Sequence, residues 1–420
     1  MKDCKRMFAT VCLFVVLAVS MMRYNISTSA QTPFQMPYKT FTVQPYSYAG
    51  SVISNGSIKY LSLPSDSRPM GILYDNKTNK VWVALHWNRS IAEIDVATLS
   101  VTIYPLPWKV DDNYYGPLPW TLTITPDNCV WFSIRGYMGA PNQPPSYRPY
   151  LGKLNLTDNI ICIYYIPTDS GSDIKFNGNY IWYLTVDCLL KIDYIAGEIV
   201  ESYAREFSSG FIAPDGESLW ISSSVSGNFV TRFNTITRTF DLNLTGFDRP
   251  LGLYVDSQYL YVAENSNNVG AMGTIAKIDK TSLQITRINT AIITNEGPYH
   301  VLKDSYGYLW FTDNSNHIGI VGSLVYNSIS PYCYFMTEVP GNSIWFSAVG
   351  SAYIGMKSIR LIKADVNRDG KVDMKDIVTV ISWFGKTVPP APTVCDITDD
   401  GKVDMVDVVK TISSFGEKLS

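Results

Sequence analysis

Histidine and charge are both scarce in this chain. Its 420 residues include three histidines, and 17% of positions are Asp, Glu, Lys or Arg. His86, His300 and His317 stand far apart, so there is no HExxH pair, no GxSxG elbow and no Ser/His/Asp set to place. A net charge of -3 gives no basic field, which argues against nucleic acid as a partner, because neutralising phosphates takes clustered Lys and Arg. Of seven cysteines, Cys4 and Cys12 fall in the first residues. The other five (Cys129, Cys162, Cys188, Cys333 and Cys395) are odd in number and widely spaced, with no CxxC and no zinc spacing. At most two disulfides can form from them, which is no framework. After Met22 no apolar run is long enough to span a bilayer.

What is present begins with an export pattern. Lys2, Lys5 and Arg6 precede the apolar run Met7 to Met22, and small residues end at Ala30. Residues 1–30 are therefore expected to be a signal peptide, with an uncleaved anchor as the alternative. Six Asn-x-Ser/Thr sequons, at Asn25, Asn55, Asn76, Asn88, Asn155 and Asn243, agree modestly with an extracellular location. A secreted protein, with cell-surface association as a further expectation, follows.

Aromatics are abundant, with 28 Tyr and 10 Trp, and many recur in one phrase. RPMGILYDNKTNKVWVALHWNRSIAEIDVATLSVTIYPLP starts at Arg68, RPLGLYVDSQYLYVAENSNN at Arg249, and GPYHVLKDSYGYLWFTDNSNHIGIVG at Gly297. The order is constant: a Pro-led apolar strand, a turn of Asp, Asn or Gly, an apolar-aromatic strand, a polar loop, then two further strands. The landmark aromatics are Trp82, Trp131, Trp182, Trp220, Tyr261, Trp310 and Trp345, about 35 to 51 residues apart. Four short strands per unit at that period predict propeller blades, and seven landmarks predict seven. Ser57–Pro64, SIKYLSLP, matches the outer strands and is expected to complete the last blade, closing the ring. Each landmark is expected to be blade core. Residues 31–57 are expected to form an N-terminal extension and 58–363 the propeller.

The blade phrase resembles the streptogramin B (virginiamycin B) lyase family over most of residues 58 to 350, and is close to the broader NHL-type and gluconolactonase-like propellers. The resemblance implies a metal-dependent C–O lyase with His just after a blade-opening Pro and Glu just before one. Here the residues after the opening Pro are Met70, Trp120, Leu251 and Tyr299. In NEGPYH, Glu296 precedes Pro298 but His300 comes one position late, which in a regular strand points a side chain to the other face. Glu296 and His300 are therefore weak catalytic candidates; a loop carboxylate and a strand-start histidine are the plainer expectation.

The chain ends in two near-copies, DVNRDGKVDMKD from Asp365 and DITDDGKVDMVD from Asp396. Calcium takes oxygens from positions 1, 3, 5, 7, 9 and 12 of such a loop, with Gly at 6. The first loop offers Asp365, Asn367, Asp369, the Lys371 carbonyl, Asp373 and Asp376 around Gly370. The second offers Asp396, Thr398, Asp400, the Lys402 carbonyl, Asp404 and Asp407 around Gly401. Two Ca2+ sites are expected. No helix precedes either loop, and a helix follows each, ended by Gly385 and Gly416. Helical spacing predicts that Ile377, Val380, Ile381 and Phe384 are buried in one, and Val408, Ile412 and Phe415 in the other.

Tandem loop-helix units with Asp at position 12 resemble the dockerin family over residues 364 to 420. The resemblance implies a small all-α calcium-binding domain that binds a cohesin-like domain of a scaffold or surface protein. Its partner-reading positions fall on Met374, Lys375, Met405 and Val406; for the two methionines, packing against the domain's own helices is the alternative. The internal two-fold implies that either unit can present the docking face. The expectation is therefore an all-β seven-bladed propeller carrying a small α domain: a binding protein docked through calcium loops, whose propeller takes a glycan, peptide or small-molecule ligand. The alternative is an enzyme, a streptogramin-lyase-like lyase or a hydrolase of polysaccharide catabolism.

Overall fold

The computed structural model describes residues 33–112, 116–137, 148–166, 168, 171–205, 210–224, 227–266, 272–293 and 297–419. The expected signal segment 1–30 and the candidate Glu296 lie outside the described residues.

Seven antiparallel sheets form the blades. Their innermost strands are Pro69–Asp75, Pro117–Thr125, Gly171–Asn177, Ile212–Asp215, Pro250–Val255, Pro298–Lys303 and Cys333–Val339. Each packs against the next around the ring, and the last packs against the first. In six of the seven, the pairing register slips soon after the strand begins. Such bulges re-aim side chains and sharpen the strand's twist, which suits a tight central ring.

The second strand of every blade carries its landmark aromatic, and all seven are buried. Trp131 and Trp310 are 0% exposed. They fill the layer between neighbouring blades, which no blade can cover alone. Ring closure is as expected: Ile58–Ser62 pairs antiparallel with Tyr353–Ser358, with Ile58 opposite Lys357 and Tyr60 opposite Gly355.

The N-terminal segment does more than precede the ring. Val52–Asn55 forms a hairpin with Ile58–Ser62 and becomes the fifth strand of blade seven. Tyr46–Tyr48 then edges blade one, Tyr38–Thr42 edges blade two and Phe34–Gln35 edges blade three. Read from residue 34, the chain passes blades three, two, one and seven, against the blade order. Exposed strand edges invite unwanted pairing, and this belt covers four of them.

Cys129, Cys162, Cys188, Cys333 and Cys395 are all free thiols. Burial pushes the thiols of Cys129, Cys188 and Cys333 up to about 12, so they are inert packing groups.

The C-terminal unit has two helices, α1 (Met374–Ser382) and α2 (Met405–Ser413). Each loop is laced to the end of the other repeat. Val372 N–H donates to the Glu417 carbonyl and Gly416 N–H to the Val372 carbonyl; Val403 N–H donates to the Lys386 carbonyl and Gly385 N–H to the Val403 carbonyl. The unit shares a core with blade six: Tyr308, Trp310 and Ile320 pack with Ile362, Ala364, Val372 and Leu419. Ile362 N–H donates to the Tyr308 hydroxyl at 3.2 Å, and the Tyr326 hydroxyl donates to the Leu419 carbonyl at 3.3 Å.

Candidate functional site

In the first loop, Asp365 accepts from the amides of Asp369 (3.1 Å) and Gly370 (2.8 Å). At its far end Asp376 accepts from Asn367 N (3.2 Å) and Asp373 N (2.8 Å). The second loop repeats this: Asp396 accepts from Asp400 N (3.1 Å) and Gly401 N (2.8 Å), and Asp407 from Thr398 N (3.0 Å) and Asp404 N (2.8 Å). Asp373 and Asp404 cap α1 and α2 and close reciprocal capping boxes with Asp376 and Asp407. The loop ends are thus fixed to the helix starts by the same carboxylates.

Asp365, Asp376 and Asp407 are wholly buried and Asp396 is 7% exposed. None of the four has a Lys or Arg ion partner among the described residues. Burial, then repulsion from Asp376 and Asp369, pushes the Asp365 carboxyl up to about 6. Asp369 is raised for the same first reason. Among the described residues, no three His, Cys, Asp or Glu side chains are drawn together as a group that could hold a metal ion. The donor chemistry itself fits a hard cation: the carboxylates of Asp365, Asp369, Asp373, Asp376, Asp396, Asp400, Asp404 and Asp407, the Asn367 amide oxygen, the Thr398 hydroxyl and the Lys371 and Lys402 carbonyls all offer oxygen. Lys371 and Lys402 turn their ammonium groups to Asp373 (3.2 Å) and Asp404 (2.8 Å).

The helices differ from expectation in which face they bury. Ile377 (8% exposed), Val380 (0%) and Val408 (7%) are inside. Ile381, Phe384, Ile412 and Phe415 are not: they are 49%, 49%, 51% and 57% exposed. On the inner side, Val380 and Val408 pack against Val366, Cys395, Ile397 and Val403 from outside the helices. Met374, Val378 and Ile381 therefore form an outward stripe on α1, continued by Phe384 in the turn beyond it, and Met405, Val409 and Ile412 on α2, continued by Phe415, match it residue for residue. Met374 and Met405 do not pack inward, and Lys375 and Val406 are exposed beside them. Contiguous exposed apolar surface of this kind is uncommon on a monomer.

In the propeller, a channel cavity of about 150 Å³ is lined by Gly71, Thr121, Asp173, Lys175, Phe211 and His300, among others. The bulge between Pro298 and His300 brings His300 to the cavity, not to the opposite face. Burial, then the Lys175 cation, pushes its imidazole down to about 3, so it is a poor base at neutral pH. Asp173, fully buried, pairs with Lys175 (3.3 Å) and accepts from Ile212 N (2.9 Å). This charged pair was missed in the sequence; its signal is the polar GSDIKF where innermost strands are otherwise apolar.

Residues 363–413 match the family model described as Dockerin type I domain. Among solved structures, the virginiamycin B lyase from Staphylococcus aureus is similar at 21% identity and a TM-score of 0.58, over 72% of this chain and 99% of that one. The Kuenenia stuttgartiensis hydrazine synthase is similar at 13% identity and a TM-score of 0.56, over 72% of this chain and 98% of that one. The WD40 β-propeller domain of Doa1 is similar at 9% identity and a TM-score of 0.52, over 70% of this chain and 94% of that one. At these identities the likeness is one of fold, the β-propeller. No curated protein sequence matches.

Proposed function

We propose that this is a secreted, extracellular binding protein. Its C-terminal unit, residues 364–420, docks it in a calcium-dependent way to a cohesin-type domain of a scaffold or cell-surface protein, and its propeller, residues 58–363, recognises a ligand. The observation that carries the reading is the exposed apolar stripe repeated on α1 and α2, within a region that matches a dockerin model. A monomer gains nothing from holding eight large apolar side chains in water on one small unit, whereas a partner that covers them recovers on the order of 1.5 kcal/mol or more for each one fully buried.

Calcium enters as the force that sets the loops. Two buried carboxylates facing each other without a cation repel, so a divalent ion held by Asp365, Asn367, Asp369, Lys371 O, Asp373 and Asp376, with its counterpart in the second loop, relieves that repulsion and stiffens both helix starts. Those starts position Met374–Lys375 and Met405–Val406, so metal capture and partner capture are coupled. Dockerin type I domains generally bind calcium and occur in extracellular or surface proteins, in keeping with the export pattern of residues 1–30.

An enzyme reading gains no support from His300, which faces the Lys175 cation and has no carboxylate partner among the described residues, and the charged pair beside it is already self-satisfied.

The test is capture of cohesin domains on the immobilised full chain in Ca2+ and in EDTA. Retention in Ca2+ with loss in EDTA is expected. Capture that ignores EDTA sinks the calcium coupling, and no capture of any cohesin type sinks the docking.

A further inference from the structure

We propose that the end face of blades one and two is a binding site for an acidic polysaccharide, with uronate carboxylates as the recognised groups; this rests on the reading of the propeller as the ligand-recognising part.

The residues meet at one end of the ring. His86 and Trp87 follow the second strand of blade one (Lys80–Leu85), and Arg89 lies in the same connection. Trp108 lies between Pro105 and Pro117, in the link to blade two; Trp120 is the fourth residue of the innermost strand of blade two, and Arg135 is near the end of its second strand. Adjacent antiparallel strands place all of these at the same edge. His86 Nδ1 is 3.0 Å from the Pro119 carbonyl, and its ring stands nearly perpendicular to Trp120 at 5.5 Å.

Three indoles here each carry a guanidinium. Arg68 lies 3.5 Å over Trp87, Arg89 3.8 Å over Trp108 and Arg135 4.3 Å over Trp120. Trp87 is 46% exposed and Trp108 63%, so each keeps open ring surface beyond its guanidinium. Large exposed indoles cost solvation and are uncommon without a partner.

Two of the three charges also lack a carboxylate. Among the described residues Arg68 and Arg89 have no carboxylate partner, and Arg89 Nη1 is buried with no hydrogen-bond acceptor. The carboxylates closest in sequence to Trp108 are engaged elsewhere: Asp112 with Lys109 at 2.7 Å, and Asp111 with the Tyr165 hydroxyl. A guanidinium with no carboxylate of its own has its accessible N–H groups left to bond one that a ligand brings. His86 agrees with this field: burial and then the cations of Arg135 and Arg68 push it down to about 4.

Ring faces beside guanidinium groups select a ligand with two properties. It must present flat C–H surface to indoles and fixed anions to guanidinium groups. A uronate chain has both in every sugar. A neutral glycan leaves Arg68 and Arg89 unanswered, and a small inorganic anion leaves the indoles wet.

The experiment is affinity electrophoresis and titration calorimetry of the full chain in Ca2+ against polygalacturonate, its methyl ester and a sulfated galactan. Polygalacturonate is expected to bind, with methyl esterification weakening it roughly tenfold or more because the carboxylates are lost. Trp108→Ala and Arg89→Gln are expected to do the same, and Arg89→Lys to fail to restore binding, since an ammonium neither stacks nor bonds in pairs. Trp108 is exposed, so its variant keeps the fold readable by circular dichroism. Equal binding of the methyl ester or the sulfated galactan overturns the uronate assignment. Glycan binding that ignores both variants overturns this face but leaves a ligand-binding propeller. No binding to any of the three, in protein that still captures a cohesin, overturns the inference and spares the docking.

Discussion

The two turn glycines of the acidic loops offer a matched test of how the C-terminal unit sits on the propeller. Gly370 and Gly401 occupy the same loop position, with φ of +89° and +87°. An alanine at either pays the same left-handed penalty, roughly 1–2 kcal/mol. Their surroundings differ. A Cβ built on Gly370 lies 2.9 Å from Ile320 Cδ1 and 3.0 Å from Leu324 Cδ1, in blade six; on Gly401 it meets nothing within 4 Å. Overpacking costs about 1–3 kcal/mol, and because the obstructing atoms are ends of flexible side chains the low end applies, about 1 kcal/mol. Gly370→Ala should therefore lose about 2–3 kcal/mol in calcium-saturated urea unfolding followed by tryptophan fluorescence, and Gly401→Ala about 1–2 kcal/mol, leaving a difference of about 1 kcal/mol. Equal losses would mean that the first loop does not rest on blade six in solution, and the shared core argued above would be wrong.

Replacing one outward residue, Ile381→Asp or Ile412→Asp, is expected to leave cohesin capture nearly intact, because the other repeat can present the same stripe; the double variant should lose it while keeping its helical circular dichroism signal. Calcium is expected to raise the melting temperature in differential scanning calorimetry, and Asp365→Asn with Asp396→Asn should abolish that rise, since each removes the carboxylate that gathers two loop amides. Lys357, fully buried with its ammonium 2.8 Å from Ser57 Oγ, is pushed down by burial from 10.5 to about 8. Folding thus releases its proton between those values, so this group's penalty of about 3 kcal/mol is complete below pH 8 and fades as pH rises to 10.5. Lys357→Met should accordingly gain on the parent most at pH 7 in denaturant titrations, with the gap narrowing at higher pH; a constant gap refutes the assigned cause. Deleting residues 31–49 should bare the outer edges of blades one, two and three and lower solubility, measured by light scattering on warming.

The propeller was legible because its signal repeats. One buried aromatic per unit, in the same place in the phrase, survives the noise of any single strand, and SIKYLSLP could be matched to outer strands already read. The belt was not legible. FQ, YKTFT and YSY are two to five residues long and exposed along nearly all their length, so they carry neither the alternation nor the apolar content that marks a strand. Their pairing is set by edges that the ring presents once formed. His300 illustrates a related limit: its face follows from a bulge, and a bulge leaves no mark in a period-two reading.

The terminal helices failed for a different reason. Met374, Val378 and Ile381 fall at i, i+4 and i+7, while Ile377, Val380 and Ile381 fall at i, i+3 and i+4. Both are valid helical faces, and spacing cannot choose between them. What chooses is the loop: Asp373 and Asp404 start the helices, and the capping boxes rotate Asp376 and Asp407 inward, which carries Ile377 and Val408 in with them. The carboxylates that make the oxygen sites thereby decide which apolar stripe faces water. The same duplication is not equivalent in space. Gly370 is buried on blade six and Arg368 donates to the carbonyls of Ile362 and Asp365, whereas Gly401 is exposed and Asp399 reaches out to Lys363. A two-fold written in the sequence is therefore seated asymmetrically, with the first loop braced by the propeller and the second left to its metal, so chelation should loosen the second repeat before the first.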